Sequence, residues 1–79
     1  AENAPEAPKD AKTALQEWAQ GRGRPLPAYV LAGMEGPAHA PRFTIRVEVE
    51  GEQPETAEGA SKRAAEQAAA ARLLKRLGA

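Results

Sequence analysis

Residues 43 to 50 read Phe-Thr-Ile-Arg-Val-Glu-Val-Glu, so that Phe43, Ile45, Val47 and Val49 alternate with Thr44, Arg46, Glu48 and Glu50. Side chains of an extended chain point to opposite faces in turn, and polarity with a period of two therefore specifies a strand with one dry face and one wet one. Something apolar must cover the dry face, and the sequence on either side supplies two segments with a helical period. Upstream, Ala11, Ala14, Leu15 and Trp18 recur at i, i+3, i+4 and i+7 behind Asp10, whose carboxylate can accept a hydrogen bond from a helix-start N–H. This predicts a helix over residues 10 to 20, stopped by the run GRGRPLP from Gly21 and leaving Thr13, Gln16, Glu17 and Gln20 on its polar side. Downstream, Ser61 can cap a long alanine-rich helix with a core stripe of Ala65, Ala69, Leu73 and Leu77 and with Gly78 just past its end.

The segments between are shorter. Residues 28 to 32, AYVLA, lie between Pro27 and Gly33 and predict a brief strand. The next stretch, MEGPAHAP, is an expected exposed loop carrying the single histidine, His39. Gly51 and Glu52 can turn the chain, and residues 53 to 58 predict a weaker strand that Pro54 confines to an edge or to the strand's start. The order is helix, strand, strand, strand, helix. The economical way to bury two amphipathic helices and one alternating strand is an α+β sandwich of αβββα order, a three-stranded antiparallel sheet with two helices packed on one face. Residues 1 to 9, rich in Ala, Pro and Glu, read as a flexible linker, and residues 10 to 79 as the single domain.

The 79 residues include no cysteine, which excludes disulfides and thiolate chemistry and suits a reducing, cytoplasmic setting. No apolar run approaches the roughly 20 residues that cross a bilayer, so no membrane partner is expected. The formal net charge is zero, with 11 basic and 11 acidic residues. Their distribution is uneven: Lys62, Arg63, Arg72, Lys75 and Arg76 face Glu66 alone near the C-terminus, whereas Glu48, Glu50, Glu52, Glu55 and Glu58 crowd the middle of the chain.

Catalytic chemistry is hard to find. Glu48 and Glu50 share a wet strand face, Glu52, Glu55 and Glu58 surround a turn, and His39 has no acid-base partner in sequence, so neither a metal site nor a catalytic group is expected. The positive signal is Gly59-Ala60-Ser61-Lys62-Arg63, where two cations occupy the first turn of the last helix. A helix start presents free N–H groups and the positive end of its dipole, so cations there are opposed unless an anion joins them. Arg72, Lys75 and Arg76 lie near the other end of that helix, where they complement the dipole. Glu66, four residues after Lys62 and three after Arg63, can pair with either and weaken the patch.

The stretches DAKTALQEWAQ at 10 to 20, LPAYVLAGMEGPAHAPRFTIRVEV at 26 to 49 and EGASKRAAEQAAAARLLKRLG at 58 to 78 together resemble the double-stranded-RNA-binding domain, and most of all the C-terminal domain of bacterial ribonuclease III. The resemblance implies three contact regions along one face of A-form RNA. Thr13, Gln16 and Glu17 match the first helix, which enters a minor groove; Pro37, Ala38 and His39 match the loop that reaches the next minor groove; Ser61, Lys62 and Arg63 match the helix start that meets phosphates across the major groove. Such contacts read shape, because the deep major groove of A-form RNA hides its base edges while the shallow minor groove shows 2'-hydroxyls. The resemblance departs from the wider family at Glu66, where a third lysine is common, and from ribonuclease III members at Ala64, which is often basic. It also implies a parent endoribonuclease whose covalently linked nuclease domain uses Mg2+, whereas this segment is expected to bind without cutting, with no cofactor, as a monomer. Two other readings compete: a protein-interaction or dimerisation module of the same fold with weak RNA binding, and a free-standing nuclease, which the missing carboxylate cluster disfavours.

Overall fold

The structure, a computed structural model, describes residues 10 to 78; the linker read over residues 1 to 9 lies outside the described residues. The elements follow the expected order: α1 (Ala11–Gly21), β1 (Ala28–Glu35), β2 (Arg42–Glu48), β3 (Glu55–Gly59) and α2 (Lys62–Leu77). The strands form one antiparallel sheet of order β1-β2-β3.

β2 obeys its alternation. Ile45, Val47 and Val49 are buried to within 3% of complete. The strand ends before Val49 and Glu50, which the polarity pattern had included, because the Val49 carbonyl accepts from the Glu52 N–H at 3.0 Å and turns the chain. β1 runs past the expected stop at Gly33 and takes Met34 and Glu35 out of the loop. Its register slips between Leu31, opposite Ile45, and Gly33, opposite Thr44, so Ala32 is an inserted residue that lets the ladder continue. β3 starts immediately after Pro54, which places the proline's missing N–H outside the ladder, and runs to Gly59 rather than Glu58.

One buried cluster joins the layers. Leu15 and Ala19 of α1 meet Ile45, Val47 and Val49, Ala57 of β3, and Ala65, Ala69, Ala70 and Leu73 of α2, so both helices cover the same face of the sheet. Leu77, expected in the core stripe, is only partly buried at its margin. α2 lies over β3 and β2, and α1 packs chiefly against α2. The seam between α2 and β3 is narrow: a Cβ on Gly59 would stand 2.5 Å from the Ala65 nitrogen and 2.9 Å from the Ala64 carbonyl carbon. Only a residue without a side chain lets the strand hand over to the helix at that spacing.

The two helix starts are finished differently. The Ser61 hydroxyl accepts from the Ala64 N–H at 3.0 Å, as expected of a cap. Asp10 occupies the corresponding position before α1 but makes no side-chain capping bond. Instead, Ala11 and Lys12 donate their backbone N–H groups to Oε1 of Gln67 in α2, at 2.9 and 3.4 Å. Lys12 also pairs with Glu66 at 2.6 Å, which corrects the expected local pairing of Glu66 with Lys62 or Arg63. The Lys12 ammonium lies 4.9 Å from the centre of the Tyr29 ring. Burial, assisted by the nearby Glu66 charge, pushes the Tyr29 hydroxyl up to about 12, and that hydroxyl has no hydrogen-bond partner among the described residues. At the far end of α1, Trp18 carries the guanidinium groups of Arg22 and Arg24 at 4.1 and 5.2 Å from its ring, and Arg24 reaches Glu52 at 2.9 Å in the turn after β2.

Two outcomes follow for stability. Gly59→Ala is expected to lower the unfolding free energy by about 1–3 kcal/mol through overpacking, whereas Gly21→Ala, which meets open space, should cost nothing. Urea unfolding followed by Trp18 fluorescence compares them. The second outcome concerns alkali. Because the fold raises the Tyr29 ionisation from 10.0 to about 12, its contribution is complete below pH 10.0 and declines as pH rises toward about 12. Tyr29→Phe should remove that part of the decline while leaving neutral-pH stability close to wild type, and a decline of unchanged size in the variant would contradict the assignment.

Candidate functional site

The residues singled out in the sequence fall in three places. Thr13, Gln16 and Glu17 are exposed on α1. Pro37, Ala38 and His39 are exposed in the link between β1 and β2, where the Ala40 N–H donates to the Pro37 carbonyl at 2.9 Å. Gly36 enters that link with φ of 93°, a conformation that suits a glycine. Ser61, Lys62 and Arg63 are exposed where α2 begins.

Sheet register brings two of these places together. Met34 lies opposite Phe43, and Phe43 lies opposite Gly59, so the loop after β1 and the passage from β3 into α2 leave the sheet at the same end. The first turn of α1 is tied to α2 by Gln67 and Glu66, one turn beyond Arg63. Thr13, Gln16 and Arg63 consequently line one polar groove between the two helices, together with Asp10, Lys12, Glu66 and Gln67. Glu17, Ser61 and Lys62 do not line it, and neither do Pro37, Ala38 and His39.

The charge pattern is the more telling feature. Four of the 11 acidic residues are taken up in ion pairs with arginines elsewhere: Glu48 with Arg46 at 2.8 Å, Glu52 with Arg24 at 2.9 Å, Glu58 with Arg42 at 3.6 Å, and Glu55 with both Arg72 and Arg76 at 3.7 and 2.9 Å. Arg76 also donates to the Gln53 carbonyl. Two of the three cations expected merely to complement the α2 dipole thus anchor the helix to β3. With Glu66 held by Lys12, Lys62 and Arg63 have no carboxylate partner among the described residues. Ser61 spends its hydroxyl on Ala64, and the backbone N–H groups of Lys62 and Arg63, which precede the first intrahelical donor at Ala64 or Ala65, stay available. Two cations and two backbone donors without a partner among the described residues thus stand together at one helix start, an arrangement whose chemistry suits an anion.

Among the described residues, no group of three His, Cys, Asp or Glu side chains could hold a metal ion, and no helix is long and apolar enough to cross a membrane. Sequence reading missed Gln67, whose partners Ala11 and Lys12 are 56 and 55 residues away. It also missed the arginine pair on Trp18, although the i, i+4 spacing of Trp18 and Arg22 was a usable signal.

Comparison with known proteins adds an independent line. Residues 11 to 77 match the family model described as double-stranded RNA binding motif. The Ribonuclease 3 of Caulobacter vibrioides is 58% identical over 72 residues, covering 91% of this chain and 31% of the relative. That of Phenylobacterium zucineum is 58% identical over 71 residues, covering 89% of this chain and 30% of the relative, so the chain spans less than a third of these relatives. Among solved structures, the pair of dsRBDs of DRB4 with their linker is similar at a TM-score of 0.66 and 39% identity, over 84% of this chain and 42% of that one. The first dsRBD of HYL1 is similar at a TM-score of 0.67 and 36% identity, over 81% of this chain and 90% of that one. With the family's fold in place and its model matched over nearly the full described length, the chain belongs to the double-stranded RNA binding motif family.

Proposed function

We propose that this chain binds double-stranded RNA by shape, through minor-groove contacts to 2'-hydroxyls and phosphate contacts across the major groove. The observation that carries the reading is the pair of cations Lys62 and Arg63, without a carboxylate partner among the described residues, at an exposed helix start beside a groove that Thr13 and Gln16 share with Arg63. In this reading the phosphates meet Lys62, Arg63 and the free N–H groups around Ser61, while the α1 flank with Gln16 and Glu17 and the loop with Pro37, Ala38 and His39 follow the minor groove on either side. Shape readout fits because A-form RNA shows its 2'-hydroxyls there and hides its major-groove edges.

The similarity to Ribonuclease 3 proteins extends the proposal. Within such a protein the segment would hold a duplex in place for a separate, covalently linked nuclease domain in the cytoplasm, and the Mg2+ chemistry would belong to that domain. The segment itself acts as a monomer, draws on no cofactor for binding, and leaves RNA uncut when magnesium is added.

Gel-shift titrations supply the test. A duplex of about 16 base pairs of RNA should bind, the DNA duplex of the same sequence should bind less well, and Lys62→Ala/Arg63→Ala should lose most of the affinity. The log-log salt slope should be roughly -2 to -3, for two or three neutralised phosphates. Equal binding of RNA and DNA would refute shape readout, and unchanged affinity in the double variant would return the chain to the protein-interaction reading.

A further inference from the structure

The polar side of α1 and the start of α2 can act on one duplex only if something holds them at a fixed separation, and the apolar contacts alone do little to fix it. α1 packs chiefly on α2, through Leu15 and Ala19 against a helix whose buried residues are mostly alanine. Flat, small side chains allow two helices to slide along each other. Directional bonds are needed to set the register, and those seen between the helices among the described residues lie together: Oε1 of Gln67 receives the N–H groups of Ala11 and Lys12, and Glu66 receives the Lys12 ammonium. A helix start is normally capped by the residue before it, but Asp10 makes no such bond. The first turn of α1 is therefore finished by the other helix.

Helical spacing relates this junction to the candidate contacts. Gln67 stands four residues after Arg63 on α2, and Gln16 four residues after Lys12 on α1, so each junction residue shares a helix face with a contact residue one turn away. All four line the same groove. The distance across the junction sets the distance across the groove.

We infer that Gln67 is a positioning residue for RNA recognition: by capping α1 from α2, it fixes the span between the minor-groove flank at Gln16 and the phosphate-binding start at Arg63. The inference rests on the RNA-binding reading and deepens it. Gln67 acts through the two amides it holds. Loss of its carbonyl oxygen lets α1 shift on α2, which degrades the 2'-hydroxyl contacts while the cations of α2 remain. The preference for RNA over DNA falls, and the salt slope does not.

The experiment compares Gln67→Ala, Gln67→Asn and Gln67→Glu in the whole chain. Affinities for matched RNA and DNA duplexes are measured with folding monitored by circular dichroism. Dividing the RNA by the DNA affinity cancels any unfolded fraction and any general change in charge. Gln67→Ala should reduce this ratio about 3- to 10-fold, the scale of one lost cap, at an unchanged salt slope. Gln67→Asn, whose acceptor is one methylene too short, should fall between, and it decides the matter by the same criterion if the alanine variant does not fold. Gln67→Glu keeps the acceptor oxygen but loses the amide donor, so it should retain the wild-type ratio; a loss as large as that of alanine would mean that Gln67 touches RNA directly and would overturn the positioning role. A wild-type ratio in the folded alanine or asparagine variant would overturn it too. If the wild-type chain itself binds RNA and DNA alike, the RNA-binding reading falls and takes this inference with it.

Discussion

The close approach of α2 to β3 is the constraint on which the other arrangements rest. Gly59 lies against the backbone of Ala64 and Ala65, and Ala57, Ala65 and Ala69 continue the contact with the smallest side chains available. At that spacing dispersion contacts are dense, but the volume buried per residue is low, and the large buried side chains reduce to Leu15, Ile45, Leu73 and Val47. A domain of this size cannot compensate elsewhere for a widened seam. The first turn of α2 follows this seam directly, and Ser61, Lys62 and Arg63 are exposed there.

Charge is organised around that helix start. A chain whose formal charge is zero would be expected to have little electrostatic pull on a polyanion, but bulk charge matters less than where charges are cancelled. Glu48, Glu52, Glu55 and Glu58 are each engaged by an arginine, and Glu66 by Lys12. These exposed or half-exposed pairs contribute little to stability individually. Their effect lies in leaving Lys62 and Arg63 without a carboxylate partner among the described residues.

Local patterns in the sequence were a reliable guide where the determining interactions were local. The alternation from Phe43 to Val49, the stripe on α1, the serine cap and the glycine after α2 all act within a few residues, and each element lies where its pattern put it. Errors arose where distant residues intervened. Asp10 was the obvious cap by type and position, yet Gln67 displaced it from 56 residues away. Glu66 had two cations within one turn, yet the pairing went to Lys12, which the packing of α1 on α2 brings to 2.6 Å. Gly33 looked like the end of a strand and instead follows an inserted residue. For the candidate site, the residue types and exposure were legible, whereas the shared groove of Thr13, Gln16 and Arg63 depends on how two helices pack and is written in no single segment.

The inserted residue in β1 bears on how this chain lives among its own copies. β1 is one of the two outer strands of the sheet, and Val30, Leu31 and Met34 stand 38%, 47% and 62% exposed along it. A long, straight, greasy border of this kind invites a neighbouring molecule to extend the sheet without limit. At Ala32 the repeat of donors and acceptors is broken, so an incoming strand that matches Ala28 to Leu31 falls out of step with Gly33 to Glu35. The break at Ala32 thus shortens the stretch of this edge along which another strand can pair in register.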